Sequence, residues 1–123
     1  MTEHIAYKIL SADEYGDLLH AGTFTGSPAD VADGFIHLST GEQVMGTLDR
    51  HFAGREGLML VAVDLDLLAP ALVRWEPSRG GQLFPHLYAT LPMKAVVAAC
   101  PVVRTETDGL RLPVSGNISG LAS

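Results

Sequence analysis

Apolar and polar positions change period several times along the chain, and each change marks an element. Ile5–Leu10 (IAYKIL) is a short run with β-branched and aromatic residues and reads as a strand. Behind it Tyr15, Leu18 and Leu19 recur at helical spacing. Ser11 and Glu14 stand three residues apart as a capping box, and Gly22 is a natural stop, so the pattern predicts a helix over Ala12–Ala21. Thr23–Gly34 is rich in Gly, Pro, Ser and Asp and reads as a loop. Phe35–Ser39 (FIHLS) reads as a short strand. Val44, Leu48 and Phe52 then recur every four residues, with Thr40 and Gln43 as a second capping box and Gly54 closing the pattern. They predict a second helix over Gly41–Ala53.

The second half is mostly strand. Leu58–Leu65 is nearly continuous in apolar residues, the mark of a strand covered on both faces. Ala71–Glu76 (ALVRWE) is the next strand, and Pro77–Gly81 (PSRGG) a turn. Phe84–Thr90 (FPHLYAT) is another strand, whose Pro85 is expected at its start or on an edge. Lys94–Arg104 reads as a last strand with a bulge or an edge at Pro101. From Thr105 onward the chain is rich in Gly and Ser and shows little periodicity. The expectation is a single domain over residues 1–104 and an irregular or loosely docked tail over 105–123. Strand, helix, strand, helix and then strands favour an α+β architecture over a doubly wound sheet.

Composition narrows the class of protein. Hydrophobic residues make up 47% of the chain and charged residues 18%, which fits a folded domain. A net charge of −6 argues against extended nucleic-acid binding, but it leaves room for a small nucleotide held by one or two arginines. The single cysteine, Cys100, permits no intrachain disulfide and suits a reducing cytoplasm, and it reads as a small apolar packing residue. Neither a leader pattern nor an apolar run near the roughly 20 residues of a membrane span is present, so no membrane partner is expected. The glycine fingerprints of a Rossmann domain and of a P-loop are also missing.

Strand alternation supplies the candidate chemistry. In FIHLS, Phe35, His37 and Ser39 share one face, and Ile36 and Leu38 the other. In FPHLYAT, His86, Tyr88 and Thr90 share one face, and Leu87 and Ala89 the other. A lone histidine on a strand usually serves structure. A His-x-hydroxyl pattern on two separate strands makes His37 and His86 candidate catalytic groups of one cleft, with Ser39 and Tyr88 as ligand contacts. No H-E-x-x-H, C-x-x-C or H-x-H is present, so no metal site is expected. Ser39 lacks a nucleophile elbow. Ser39 and Gln43 can both serve helix capping, and the Gln43 amide can alternatively read a polar ring edge. Arg79 in its Gly-rich turn suits a phosphate or carboxylate. Glu76, which should point away from Trp75, is a weaker candidate for a general base or a ribose contact.

The segments ADGFIHLSTGEQV and GGQLFPHLYATLP followed by AVV resemble a small bacterial family known as domain of unknown function 952, over roughly Ile5–Val103. That family is in turn similar to the ADP-ribosyltransferase fold, above all to the second half of RNA 2′-phosphotransferases. FIHLS matches their HVHLS strand, Val61–Leu68 (VAVDLDLL) their next strand, and LFPHLYATLP occupies the third position. The resemblance implies a split, curved, mostly antiparallel sheet with two helices near the N-terminal half, and a cleft for NAD or an ADP-ribosyl group. It implies that His37 and Ser39 contact the nucleotide. Where such transferases carry a His-Gly-Thr histidine in their first strand, this chain carries Lys8, which becomes a ligand-contact candidate. The transferase glutamate of a late strand has no counterpart. Three expectations follow: a nucleotide-binding protein that transfers or hydrolyses its ligand, a binding module that kept the fold without the chemistry, and a hydrolase or transferase for another small substrate.

Overall fold

The computed structural model describes residues 4–103 together with Leu110, Leu112, Pro113 and Ile118. The elements run β1 (Ile5–Leu10), α1 (Ala12–Ala21), β2 (Thr23–Phe24), α2 (Pro28–Asp33), β3 (Ile36–His37), α3 (Val44–His51) and β4 (Met59–Asp64). They continue with β5 (Val73–Pro77), β6 (Leu83–Leu87), β7 (Leu91–Pro92) and β8 (Val96–Pro101). All strand pairings within the three sheets are antiparallel: β1-β4-β8, β3-β6-β5 and the two-stranded β2-β7. The chain is thus α+β with antiparallel sheets and few helices.

The core forms on both faces of β4. Val61 and Val63 join Leu10, Leu18, Leu38 and Leu87 on one face, while Leu60 joins Ile9, Val44 and Leu48 under α3 on the other. This two-sided burial is why Leu58–Leu65 carries no polar alternation. The α1 capping box forms in both directions, with Ser11 N–H donating to Glu14 Oε1 at 2.9 Å and Glu14 N–H to Ser11 Oγ at 3.1 Å. Gly22 ends the helix at φ 79°, a left-handed conformation that favours glycine. Pro101 closes β8 on a sheet edge, and a register shift at Ala62/Val63 breaks the β4–β8 ladder.

Several sequence expectations need correction, one being the FPHLYAT strand, which ends at Leu87 and leaves Tyr88, Ala89 and Thr90 outside it. Thr23–Gly34 is not simply a loop: it contains β2 and α2, which brings the helices to three. The helix forms because Ser27 and Asp30 make a reciprocal capping box and Pro28 occupies the first turn. Its six residues are too few for an apolar period to show. The second predicted helix is shorter than Gly41–Ala53 and spans Val44–His51, because the Thr40–Gln43 capping bonds close a turn that precedes the helix.

Pro85 lies inside β6, the central strand of its sheet, rather than at a start or an edge. Its carbonyl accepts from Leu38 N–H at 3.1 Å, so its missing N–H faces the same side, toward β3. The β3 ladder stops there, and Ser39 turns instead to β1, exchanging backbone bonds with Tyr7 at 2.7 and 2.9 Å. One proline thus hands the FIHLS segment from one sheet to another. The tail expected over 105–123 lies outside the described residues, apart from Leu110, Leu112, Pro113 and Ile118. Of these, Ile118 bridges Ala99.

Leu60→Ala removes a side chain that is 0% exposed, and is expected to cost about 2–5 kcal/mol of unfolding free energy. Leu67→Ala, at a position 48% exposed, should stay within about 0.5 kcal/mol. Urea unfolding of the two variants measures the contrast.

Candidate functional site

A cavity of about 530 Å³ opens between β1, α2, β3 and α3 and one end of β6. Lys8 and Asp30 line it together with His37 and His86, and Phe52 and Arg55 extend it beyond α3. The two histidines meet because the β3–β6 register sets His37 directly opposite His86. Opposed residues in an antiparallel pair share a face. Their ring centroids are 5.7 Å apart, edge to face.

Asp30 organises one side of the cavity. Its carboxylate is 2% exposed and accepts from Lys8 Nζ at 2.9 and 3.1 Å, and from Ser27 N–H at 2.9 Å. It also accepts from His37 N–H at 3.1 Å, and His37 Nδ1 lies 2.6 Å from Oδ1. Burial alone pulls this carboxyl upward. The His37 hydrogen bond, the Lys8 charge and the Ser27 and His37 N–H groups outweigh it and hold Asp30 far below the usual carboxylate range. Burial pushes Lys8 below the usual lysine range, opposed by Asp30. Gly26 makes the close turn into α2 possible: its φ is +118°, and a Cβ there would stand 3.0 Å from Asp30 Cβ.

The second histidine has its own carboxylate. His86 Nδ1 lies 2.7 Å from Glu76 Oε1, and the Tyr88 hydroxyl donates to the same oxygen at 2.7 Å. The bonds from Tyr88 and His86 hold Glu76 below the ordinary glutamate range, and the Glu76 bond pushes the Tyr88 phenol up. Phe35 stacks on His86 at 4.0 Å and tilts against His37 at 4.6 Å and Tyr88 at 5.2 Å, fixing all three rings. Arg74 lies 4.8 Å over the Tyr88 ring, and Trp75 on the opposite face packs into the core.

The structure therefore brings His37, His86, Lys8 and Ser39 to one cavity, with Glu76 behind His86. Ser39 Oγ is bonded to Thr47 Oγ1 at 2.9 Å. Tyr88 acts on Glu76 and does not line this cavity. Nor does Gln43, whose Nε2 donates to the Leu83 carbonyl at 2.8 Å and whose Oε1 accepts from Thr40 N–H. Arg79 sits in a 3-10 turn, and its side chain lies outside the described structure. Sequence reasoning missed Asp30, Asp33 and Arg55, and placed Phe35 on the His37 face without giving it a role. The Ser27-Pro28-Ala29-Asp30 cap was the available signal for Asp30. Among the described residues no cluster of three or more His, Cys, Asp or Glu is arranged to hold a metal ion, and no helix is long and apolar enough to cross a membrane.

Fold and site together define a small α+β protein with a cleft walled by two carboxylate-bound histidines. The chain belongs to the family described as Protein of unknown function (DUF952), whose model matches residues 9–99. It is similar to protein CC0527 from Caulobacter crescentus: the crystal structure is 40% identical, covers 87% of this chain and 93% of that chain, and superposes with a TM-score of 0.78. The solution NMR structure of CC0527 is 42% identical over 88% of this chain and 91% of that chain, with a TM-score of 0.74. No curated protein matches the chain.

Asp30→Asn is expected to cost about 3–5 kcal/mol, because it strands the buried Lys8 ammonium. The double variant Lys8→Met/Asp30→Asn should recover much of that loss. Asp30 is more acidic folded than unfolded, so its stabilisation is complete above the unfolded carboxylate pKa of about 4 and drains away as pH falls through the lower folded value. Denaturant midpoints measured from neutral to acid pH should fall more steeply for the wild type than for the double variant.

Proposed function

We propose that the cleft is a nucleotide-type binding site, taking NAD, ADP-ribose or a phosphorylated relative, on a fold of the ADP-ribosyltransferase kind. The observation that carries this reading is the direct opposition of His37 and His86 on the wall of a cavity of about 530 Å³. That volume suits a small-molecule ligand, and a few convergent polar groups among apolar walls are what such a site needs. His37 and Ser39 would contact ribose or phosphate, and His86 would be a second anchor or a proton-transfer group. Arg55, stacked 5.1 Å over the Phe52 ring, supplies a cation beside an aromatic platform. The single half-buried cysteine suits a cytoplasmic setting. A bacterial NAD-linked transfer or hydrolysis is the activity this reading implies.

The Lys8–Asp30 pair favours a second reading, a binding module without transferase chemistry. Lys8 stands where transferases of this fold carry a histidine, and Asp30 already engages its ammonium.

Calorimetric titration with NAD and with ADP-ribose is expected to give saturable heat. His37→Ala and His86→Ala should each weaken binding by about tenfold or more, about 1.4 kcal/mol. Absence of heat and of NMR shifts at millimolar ligand rejects the nucleotide reading. Histidine variants that lower the melting temperature but leave affinity unchanged make both residues structural.

A further inference from the structure

The hydrogen bonds place the two histidine rings in different surroundings. Both ring nitrogens of His37 face carboxylate oxygens, Nδ1 on Asp30 at 2.6 Å and Nε2 on Asp33 at 2.9 Å. Ionised carboxylates only accept, so the two contacts are both satisfied when each ring nitrogen carries a proton to donate. In His86, Nδ1 donates to Glu76, which already accepts from Tyr88. Nε2 of His86 has no partner among the described residues, and the residue lines the cavity, so a lone pair is open to it. One ring with two acceptors at its nitrogens and another with a nitrogen open to the same cleft is the geometry an acid–base pair needs.

We propose that His86 is the general base and His37 the general acid in cleavage of a ribonucleoside phosphodiester. The nucleotide part rests on the binding reading above; the bond broken is the new element. A pyridinium leaving group departs from a ribose neutral and needs no proton, whereas an alkoxide departing from phosphorus does. An acid held ready in the cleft therefore fits P–O cleavage. His86 Nε2 takes the proton of a ribose 2′-hydroxyl, whose oxygen forms a bond to the neighbouring phosphorus. The P–O bond to the leaving alcohol breaks, its electron pair stays on that oxygen, and the oxygen takes the Nε2 proton of His37. The products are a cyclic phosphodiester and an alcohol. Addition of water in the reverse sense opens the ring and restores both protons.

Asp33 engages the His37 Nε2 donor in this structure. Its side chain is 55% exposed, so it can swing into water when a leaving oxygen takes its place. Asp30 and Glu76 are positioning residues: each holds the Nδ1 side of a ring so that Nε2 addresses the substrate.

The test compares two uridine 3′-phosphodiesters, one with a benzyl and one with a p-nitrophenyl leaving group, cleaved by the full chain. Nitrophenolate departs without a proton. His86→Ala should lower kcat by roughly 10²–10⁴-fold on both esters. His37→Ala should do so on the benzyl ester but by less than about tenfold on the nitrophenyl ester. If His37→Ala does not fold, His37→Gln, which keeps an amide donor toward Asp30, reads the same split. Glu76→Gln should lower kcat with KM little changed. Equal losses on both esters with either His37 variant overturn the assignment. If the wild type binds nucleotide calorimetrically but cleaves neither ester, the acid–base pair falls and the binding site stands. If it neither binds nor cleaves, both fall.

Discussion

The Asp30 carboxylate is the contact on which the rest of the site depends. A carboxylate taken out of water must be paired and hydrogen-bonded or the fold pays several kcal/mol. Here the donors come from three places: the Lys8 ammonium from β1, the Ser27 N–H from the cap of its own helix, and the His37 backbone and ring from β3. Satisfying one carboxylate therefore sets β1, α2 and β3 relative to each other. His37 is oriented as a by-product, because the ring cannot turn without stripping Asp30 of a partner.

The β3–β6–β5 sheet adds a second constraint through Pro85. The proline carbonyl still accepts from Leu38 N–H but the proline has no donor to return, so the chain leaves β6 after Leu38 and Ser39 pairs with Tyr7 of β1. That handover opens the cleft between the two larger sheets. It keeps Ile36 and Leu38 in the core while His37 and Ser39 face the cavity. Phe35 then backs both histidine rings and limits their rotation.

Local signals in the chain were legible where they act locally. Ser11, Glu14 and Gly22 bound α1 at the predicted residues, and the apolar run around Val61 marks a two-sided strand. Alternation also identified the polar face of FIHLS, but in FPHLYAT it holds only to Leu87, where β6 ends, and Ala89 and Thr90 beyond it are both exposed. The Lys8–Asp30 pair was not legible, because it joins residues 22 apart and nothing local distinguishes a buried aspartate from a capping one. The opposition of His37 and His86 depends on register, which alternation leaves undetermined. Helix α2 escaped notice because it has six residues, and its Val31 is exposed rather than part of an apolar stripe.

An acidic chain can still present an anion with a favourable cleft, because local pairing decides the field inside a site. Asp30 is matched by Lys8 and His37, and Glu76 by His86 and the Tyr88 hydroxyl. Carboxylates elsewhere on the surface are screened within roughly 8–10 Å at physiological salt. Asp33 is the cleft-lining carboxylate that is both solvent-exposed and bonded to a ring nitrogen facing the cavity, and Glu14 lines the cavity as well. Arg55 has no carboxylate partner among the described residues, and its guanidinium carbon lies 5.1 Å from the Phe52 ring centroid at the same cavity. Under the proposed reading, a phosphate that replaced Asp33 at His37 would exchange one exposed carboxylate for itself and gain a guanidinium, offsetting the net charge of −6.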